Sequence, residues 1–163
     1  IVARLEGNRL LLQQIHILQD ATEFDGGLTL ALDTLTPLAR WHPAPFDHAT
    51  RIFDTRFYLA RAPEGQVASV DSRENVRLFW RSARDVLALC DAGEGRIIYP
   101  TRRNLERLAD HRRHADMVAH ASCFPVEKIR PWQEDRDGET HLCIPDHLGY
   151  PITAEPMARV QRA

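Results

Sequence analysis

The chain has 163 residues, of which 44% are hydrophobic and 27% are charged, and this balance predicts one soluble domain with its own core. Its formal net charge of −2 excludes a global electrostatic attraction to nucleic acid or to an anionic membrane. No apolar run reaches the roughly 18 residues of a membrane-spanning helix, and the polar N-terminus with Glu6 is not typical of a signal peptide.

The first sixty residues predict one helix and two strands. Apolar residues at helical spacing indicate a helix over 4–19. A short strand is then expected to end at Trp41. Residues 53–60 form the next strand, in which large apolar side chains alternate with polar ones that include Asp54 and Arg56. The polar side of this strand must face either solvent or a charged ligand.

The centre of the chain predicts a short strand followed by a well-capped helix. Residues 76–80 have the composition of a strand. Ser82 and Asp85 then have the spacing of a capping box, in which the serine accepts from the helix amides and the acidic side chain reaches back. A helix is therefore expected over 83–91.

The last third of the chain predicts two helices and a hairpin. Thr101 is a favourable N-cap for the first helix, and the second covers about 113–121. Asp137 and Gly138 form the turn of a β-hairpin, and residues 153–163 are expected to be a flexible tail. Because strands and helices mix without a strict βαβ rhythm, the predicted fold class is α/β of the mixed α+β type.

Histidine and cysteine residues offer one possible metal site. The three cysteines are Cys90, Cys123 and Cys143. No C-x-x-C motif occurs, which indicates reduced thiols in a cytoplasmic protein. His111, His114 and His120 lie near Cys123 and could bind zinc, but their spacing matches no strong zinc pattern. A solvated helix face rich in arginine and histidine is the favoured interpretation.

Two groups of charged residues suggest phosphate chemistry. Five arginines (Arg102, Arg103, Arg107, Arg112 and Arg113) could bind phosphates. Acidic residues are interleaved with them, so a salt-bridged outer helix is the favoured alternative. Asp71 and Glu74 lie in a loop before a strand, where carboxylates can bind Mg²⁺ or activate water. Turn formation and solubility are the alternative role for these two carboxylates.

Five segments follow one another along the chain: LARWHPAP, FDTRFYLARAPEGQ, DSRENVRLFWRSARDVLAL, IIYPTRRNLERLA and LCIPDHLGYP. In this order they resemble one branch of the Nudix hydrolases, the branch related to peroxisomal coenzyme A diphosphatases that is widespread in bacteria. The resemblance covers about residues 36–155. It implies a Nudix-like sandwich in which a mixed β-sheet is flanked by helices.

The resemblance also implies a reaction and a ligand. Nudix enzymes hydrolyse a diphosphate joined to another group, with Mg²⁺ or Mn²⁺ on the diphosphate oxygens and water as the attacking group. The expected substrate is a small nucleoside diphosphate derivative, with CoA or acyl-CoA favoured. No nucleic acid or membrane partner is expected. The helix predicted over 4–19 could pair with a second copy to give a homodimer.

Three residues match functional positions of that branch, and a fourth lies beside them. Glu74 matches a loop glutamate that can act as a metal ligand or as the catalytic base. Arg40 and Arg56 match basic positions suited to phosphate oxygens, and Asp54 lies on the same predicted cleft wall. A cross-strand ion pair is the alternative role for Arg56. Arg77 stands where a second glutamate is common, which argues against a pair of catalytic carboxylates.

The main departure from the family is its signature, G-x5-E-x7-R-E-x-x-E-E-x-G, which occurs nowhere in residues 1–163. Relatives carry this box ahead of the ARW segment, so we expect it before Ile1. Residues 1–163 are then a single Nudix-like domain without its N-terminal part, and inactive by themselves. The alternative is a natural relative that has lost the box and binds a nucleotide or a protein without catalysis.

Overall fold

The computed structural model describes residues 2–6, 9–13, 32–42, 54–61 and 80–160. These residues form a mixed α/β structure with two small sheets and four helices. The predicted fold class is confirmed at this level. The described strands divide between two sheets, whereas the resemblance implies one mixed sheet.

The first sheet, sheet A, has five strands. They are β1 (Val2–Glu6), β2 (Arg9–Gln13), β3 (Thr36–Trp41), β4 (Thr55–Arg61) and β5 (Lys128–Ile129). Their order in the sheet is β2-β1-β4-β3-β5. β1 runs parallel to β4 and β5 parallel to β3, while β3 and β4 are antiparallel. Sheet A is therefore mixed, and the strand predicted to end at Trp41 is confirmed as β3.

The helix predicted over 4–19 is wrong across the described part of that range. Residues 2–6 and 9–13 are β1 and β2, an antiparallel pair with Glu6 opposite Arg9. Backbone pairing of β1 with β4 favours the extended form over a helix that Gly7 would weaken.

The second sheet, sheet B, contains the predicted hairpin. It consists of β6 (Trp132–Arg136), β7 (Glu139–Cys143) and β8 (Ala154–Pro156), all antiparallel. Asp137 and Gly138 connect the first two strands with φ of 52° and 82°, the sign pattern of a type I′ turn, so the hairpin prediction is confirmed. Within the segment expected to be a flexible tail, β8 pairs with β7.

Four helices are described: α1 (Ala83–Asp91), α2 (Tyr99–Ala109), α3 (His114–Ser122) and α4 (Met157–Val160). Ser82 caps α1, its Oγ accepting from the Asp85 amide at 3.1 Å, as the sequence predicts. α3 confirms the helix expected near 113–121. The N-cap of α2 is Ile98 and not Thr101. Pro100 explains the earlier start, because its fixed φ suits the first helical turn.

The core joins sheet A to the helices and to sheet B. Trp41 is 2% exposed and meets the rings of Tyr99 and Tyr150 edge-on, with centroids 6.1 and 5.8 Å away. Asn104 of α2 accepts from Trp41 Nε1 at 3.3 Å and from the Tyr150 hydroxyl at 2.9 Å. Trp41 therefore packs and hydrogen-bonds inside the protein, as expected for a structural tryptophan.

The strand predicted over 76–80 lies outside the described residues except for Trp80, which precedes α1 in an irregular segment. Among the helices that the structure describes, none has the length and apolar character needed to cross a bilayer.

Candidate functional site

Three of the residues singled out from the sequence come together on sheet A. β3 and β4 place Arg40 directly opposite Arg56 in the strand register, and Asp54 immediately precedes β4. A cavity of about 240 Å³ opens on this face. Its lining residues are Pro37, Ala39, Arg40, Arg56, Phe57, Tyr58 and Val126.

Strand alternation explains why charged side chains reach this cavity. Phe57 and Leu59 of β4 are 4% and 0% exposed and belong to the hydrophobic core. Arg56 and Tyr58, at the intervening positions, point to the other face because successive side chains of a strand alternate. The polar side of this strand therefore borders a cavity that opens to solvent.

Asp54 joins two cations from neighbouring strands. Arg40 donates from Nε to Oδ1 at 2.8 Å and from Nη2 to Oδ2 at 2.7 Å. Lys128 Nζ of β5 lies 3.0 Å from Oδ2. The hydrogen bond from Arg40, and next that from Lys128, hold the pKa of the Asp54 carboxyl well below its usual range. The same carboxylate raises the pKa of Arg40.

Lys128 is not among the residues that the sequence singles out. It lies 88 positions after Arg40 and reaches the site only because β5 pairs with β3, with Lys128 opposite Arg40. One signal was present, since Lys128 is the single lysine in a chain whose other basic side chains, histidines apart, are arginines. The rarity of lysine does not predict where Lys128 lies, because pairing between distant strands decides which charges become neighbours.

The charges at this site favour an anion. Arg40, Lys128 and Arg56 contribute three positive charges, and Asp54 removes one. Arg56 is exposed and makes no hydrogen bond or ion pair with the rest of the described chain, so the cross-strand ion pair considered for it is not formed there. Guanidinium groups match phosphate oxygens in geometry and charge. The cavity can therefore hold a phosphate or diphosphate group.

The described residues do not form the expected Mg²⁺ or Mn²⁺ site. Within them, no group of three His, Cys, Asp or Glu side chains is arranged to bind a metal. Both oxygens of Asp54 already accept from cations. Glu74, the expected metal ligand and catalytic residue, lies outside the described residues, as do Asp71 and Arg77.

The candidate zinc ligands do not converge on one point. The rings of His111 and His120 lie 4.6 Å apart between centroids. The Cys123 thiol donates to the Ala119 carbonyl at 3.2 Å. His120 Nε2 accepts from Arg107 Nε at 3.2 Å and is thereby unprotonated. These side chains make contacts within the protein, consistent with the lack of a three-ligand group in the described part of the chain.

The arginine-rich helix is not an outer, solvated helix at two of its positions. Arg103 and Arg107 of α2 are 0% and 4% exposed. Arg107 donates to the Leu38 carbonyl at 2.9 Å and stacks over the rings of Phe124 and Tyr150. The salt-bridged outer helix that the sequence favours is therefore wrong at Arg103 and Arg107. Arginine can be buried when its donors find acceptors and its plane finds aromatic rings.

A second cavity, of about 530 Å³, lies where the start of α1 meets the end of α2 and the start of α3. Its lining includes Trp80, Arg84, His111 and Met117. Arg84 crosses this region to Asp110, with Nη2 3.2 Å from Oδ1. Three arginines and two aspartates line this cavity, a surplus of one positive charge. The site on sheet A has a surplus of two and is the stronger candidate for an anion.

Comparison of the chain with protein-family models, with curated proteins and with solved structures finds no match.

Proposed function

We propose that the chain is a Nudix-type hydrolase that cleaves a diphosphate linkage in a nucleoside diphosphate derivative, with CoA or acyl-CoA as the favoured substrate. One observation carries the proposal. The two arginines that match basic positions of the family, Arg40 and Arg56, face each other across β3 and β4 at the cavity on sheet A. A third cation, Lys128, lies beside them.

The charge of this site suits the proposed substrate. A diphosphate esterified at both ends carries two negative charges, and the site carries a surplus of two positive charges. Arginine side chains can bind its oxygens and stabilise the negative charge that shifts toward the leaving oxygen during phosphoryl transfer. The resemblance proposes Glu74 as a metal ligand or as the catalytic base. The described residues then contribute binding and charge stabilisation.

The proposal is tested by measuring substrate binding and turnover together. CoA is incubated with the full-length protein and Mg²⁺, release of a phosphoadenosine product is followed by chromatography, and CoA binding is followed by calorimetry. Arg56→Gln should raise KM about tenfold, because a hydrogen bond to a charged group is lost. Arg96→Gln, at an exposed arginine outside the lining of the cavity, is the matched control and should leave KM unchanged.

Two results of this experiment would argue against the proposed hydrolase or its site. Binding of CoA that depends on Arg56 but gives no product would favour the alternative, a non-catalytic nucleotide-binding domain. Equal KM and binding constants for the Arg56→Gln and Arg96→Gln proteins would remove the sheet A cavity as the substrate site.

A further inference from the structure

We propose, on the basis of the proposed function, that Asp54 is a positioning residue for Arg40. It holds one edge of the Arg40 guanidinium so that the remaining nitrogen, Nη1, faces a diphosphate bound between Arg40 and Arg56. Asp54 itself does not contact the anion. It sets the direction of the arginine that does.

The hydrogen-bond pattern of Arg40 supports this role. Asp54 accepts from Nε and Nη2, which are the two donors on one edge of the guanidinium. Because the group is planar and rigid, fixing two of its nitrogens also fixes the third. Nη1 makes no hydrogen bond with the described part of the chain, while Arg40 lines the cavity.

Repulsion between Arg40 and Arg56 is the reason why Arg40 needs a partner that fixes its direction. Arg40 and Arg56 occupy directly opposed positions, and like charges directly opposed across two strands repel. Without Asp54, the flexible Arg40 side chain could turn away from Arg56. Lys128 approaches Oδ2 of Asp54 from β5, so the carboxylate is held from a second strand.

Charge and positioning predict opposite results for one substitution. Asp54→Asn removes a negative charge beside the cavity. If Asp54 acted only through charge, the variant would bind an anion more tightly. If Asp54 positions Arg40, the variant loses the bidentate ion pair, and binding weakens in spite of the extra positive charge.

The experiment measures binding of inorganic diphosphate and of CoA by calorimetry. Asp54→Asn should weaken both about tenfold. Asp54→Glu keeps the charge but moves the carboxylate by one methylene, so it should also weaken binding. Asp116→Asn is the matched control, because Asp116 accepts from Arg113 Nε and Nη2 in the same bidentate manner on an exposed surface. It should bind both ligands as the wild-type protein does.

A double-mutant cycle identifies the route of the effect. In an Arg40→Gln background, Asp54→Asn should no longer weaken binding, because the side chain that it positions is gone. Unchanged or tighter binding by the single Asp54→Asn variant would overturn the positioning role while leaving the proposed function in place. Failure of the wild-type protein to bind either ligand would overturn both. Thermal unfolding of each variant confirms that it is folded when assayed.

Discussion

At the scale of single residues, two glycines share a backbone conformation but differ in their surroundings. Gly149 has φ of 78°, and a Cβ there would lie 2.6 Å from Phe124 Cε2. Gly93, which follows α1, has φ of 75°, and a Cβ there would meet nothing within 4 Å. Both positions favour glycine over residues that carry a Cβ, but only Gly149 is also confined by a ring.

We expect Gly149→Ala to lower the free energy of unfolding by about 2–4 kcal/mol, the sum of backbone strain and forced displacement of Phe124. Gly93→Ala, as the control, should lower it by about 1 kcal/mol, since only the backbone is strained. Urea unfolding followed by circular dichroism measures both values. Equal losses for the two variants would contradict the assigned contact with Phe124.

At the scale of elements, a buried ion pair links β8 to α2. Arg103 is fully buried, and its Nη2 donates to Glu155 of β8 and to Glu106 of α2, each at 2.9 Å. Burial raises the pKa of Glu106. The contact with β8 is the ion pair of Arg103 with Glu155, both largely buried, and removing one partner of such a pair is costly.

Glu155→Gln should lower the free energy of unfolding by about 1–3 kcal/mol, because a buried hydrogen bond between charged groups is replaced by a weaker one. Amide hydrogen exchange in residues 154–156 should also become faster. Glu134→Gln is the matched control at the exposed pair with Arg136, and it should change neither quantity detectably. Unchanged exchange in β8 of the Glu155→Gln protein would show that Arg103 does not hold this strand.

At the scale of the whole molecule, two histidines couple stability to pH. Burial lowers the pKa of His114, and burial together with Arg107 and His111 lowers that of His120. In the unfolded chain both return to about 6.5. The unfolded state therefore binds more protons than the folded state as pH falls. Their contribution to stability is complete above about pH 6.5 and is lost below it.

We predict that the free energy of unfolding falls between pH 7 and pH 5, with His120 responsible for part of the slope. His120→Gln keeps an acceptor for Arg107 but does not titrate, so its slope should be smaller than that of the wild-type protein. Urea unfolding at several pH values measures both slopes. Burial raises the pKa of Glu106, so Glu106 changes stability with pH in the opposite direction to the histidines. This contribution is the same in both proteins and cancels in the difference between their slopes. Identical slopes would contradict this role of His120.

Local interactions explain which elements could be predicted from the sequence. The capped start of α1 at Ser82 and the hairpin turn at Asp137 and Gly138 were predicted because each depends on neighbours within a few residues. The alternation of β4 was visible for the same reason. The N-cap of α2 was misplaced because Thr101 and Ile98 compete locally, and Pro100 decides in favour of the earlier start.

Local patterns in the sequence predict these elements and the mixed α/β class, and the family resemblance singles out Arg40, Asp54 and Arg56. Folding alone makes β1 and β2 strands, brings Lys128 to Asp54, and buries Arg103 and Arg107. These features share one cause. A capping hydrogen bond or a turn has its partners nearby in the chain, whereas a strand pairing or a buried charge is stabilised by groups brought together from distant positions only on folding.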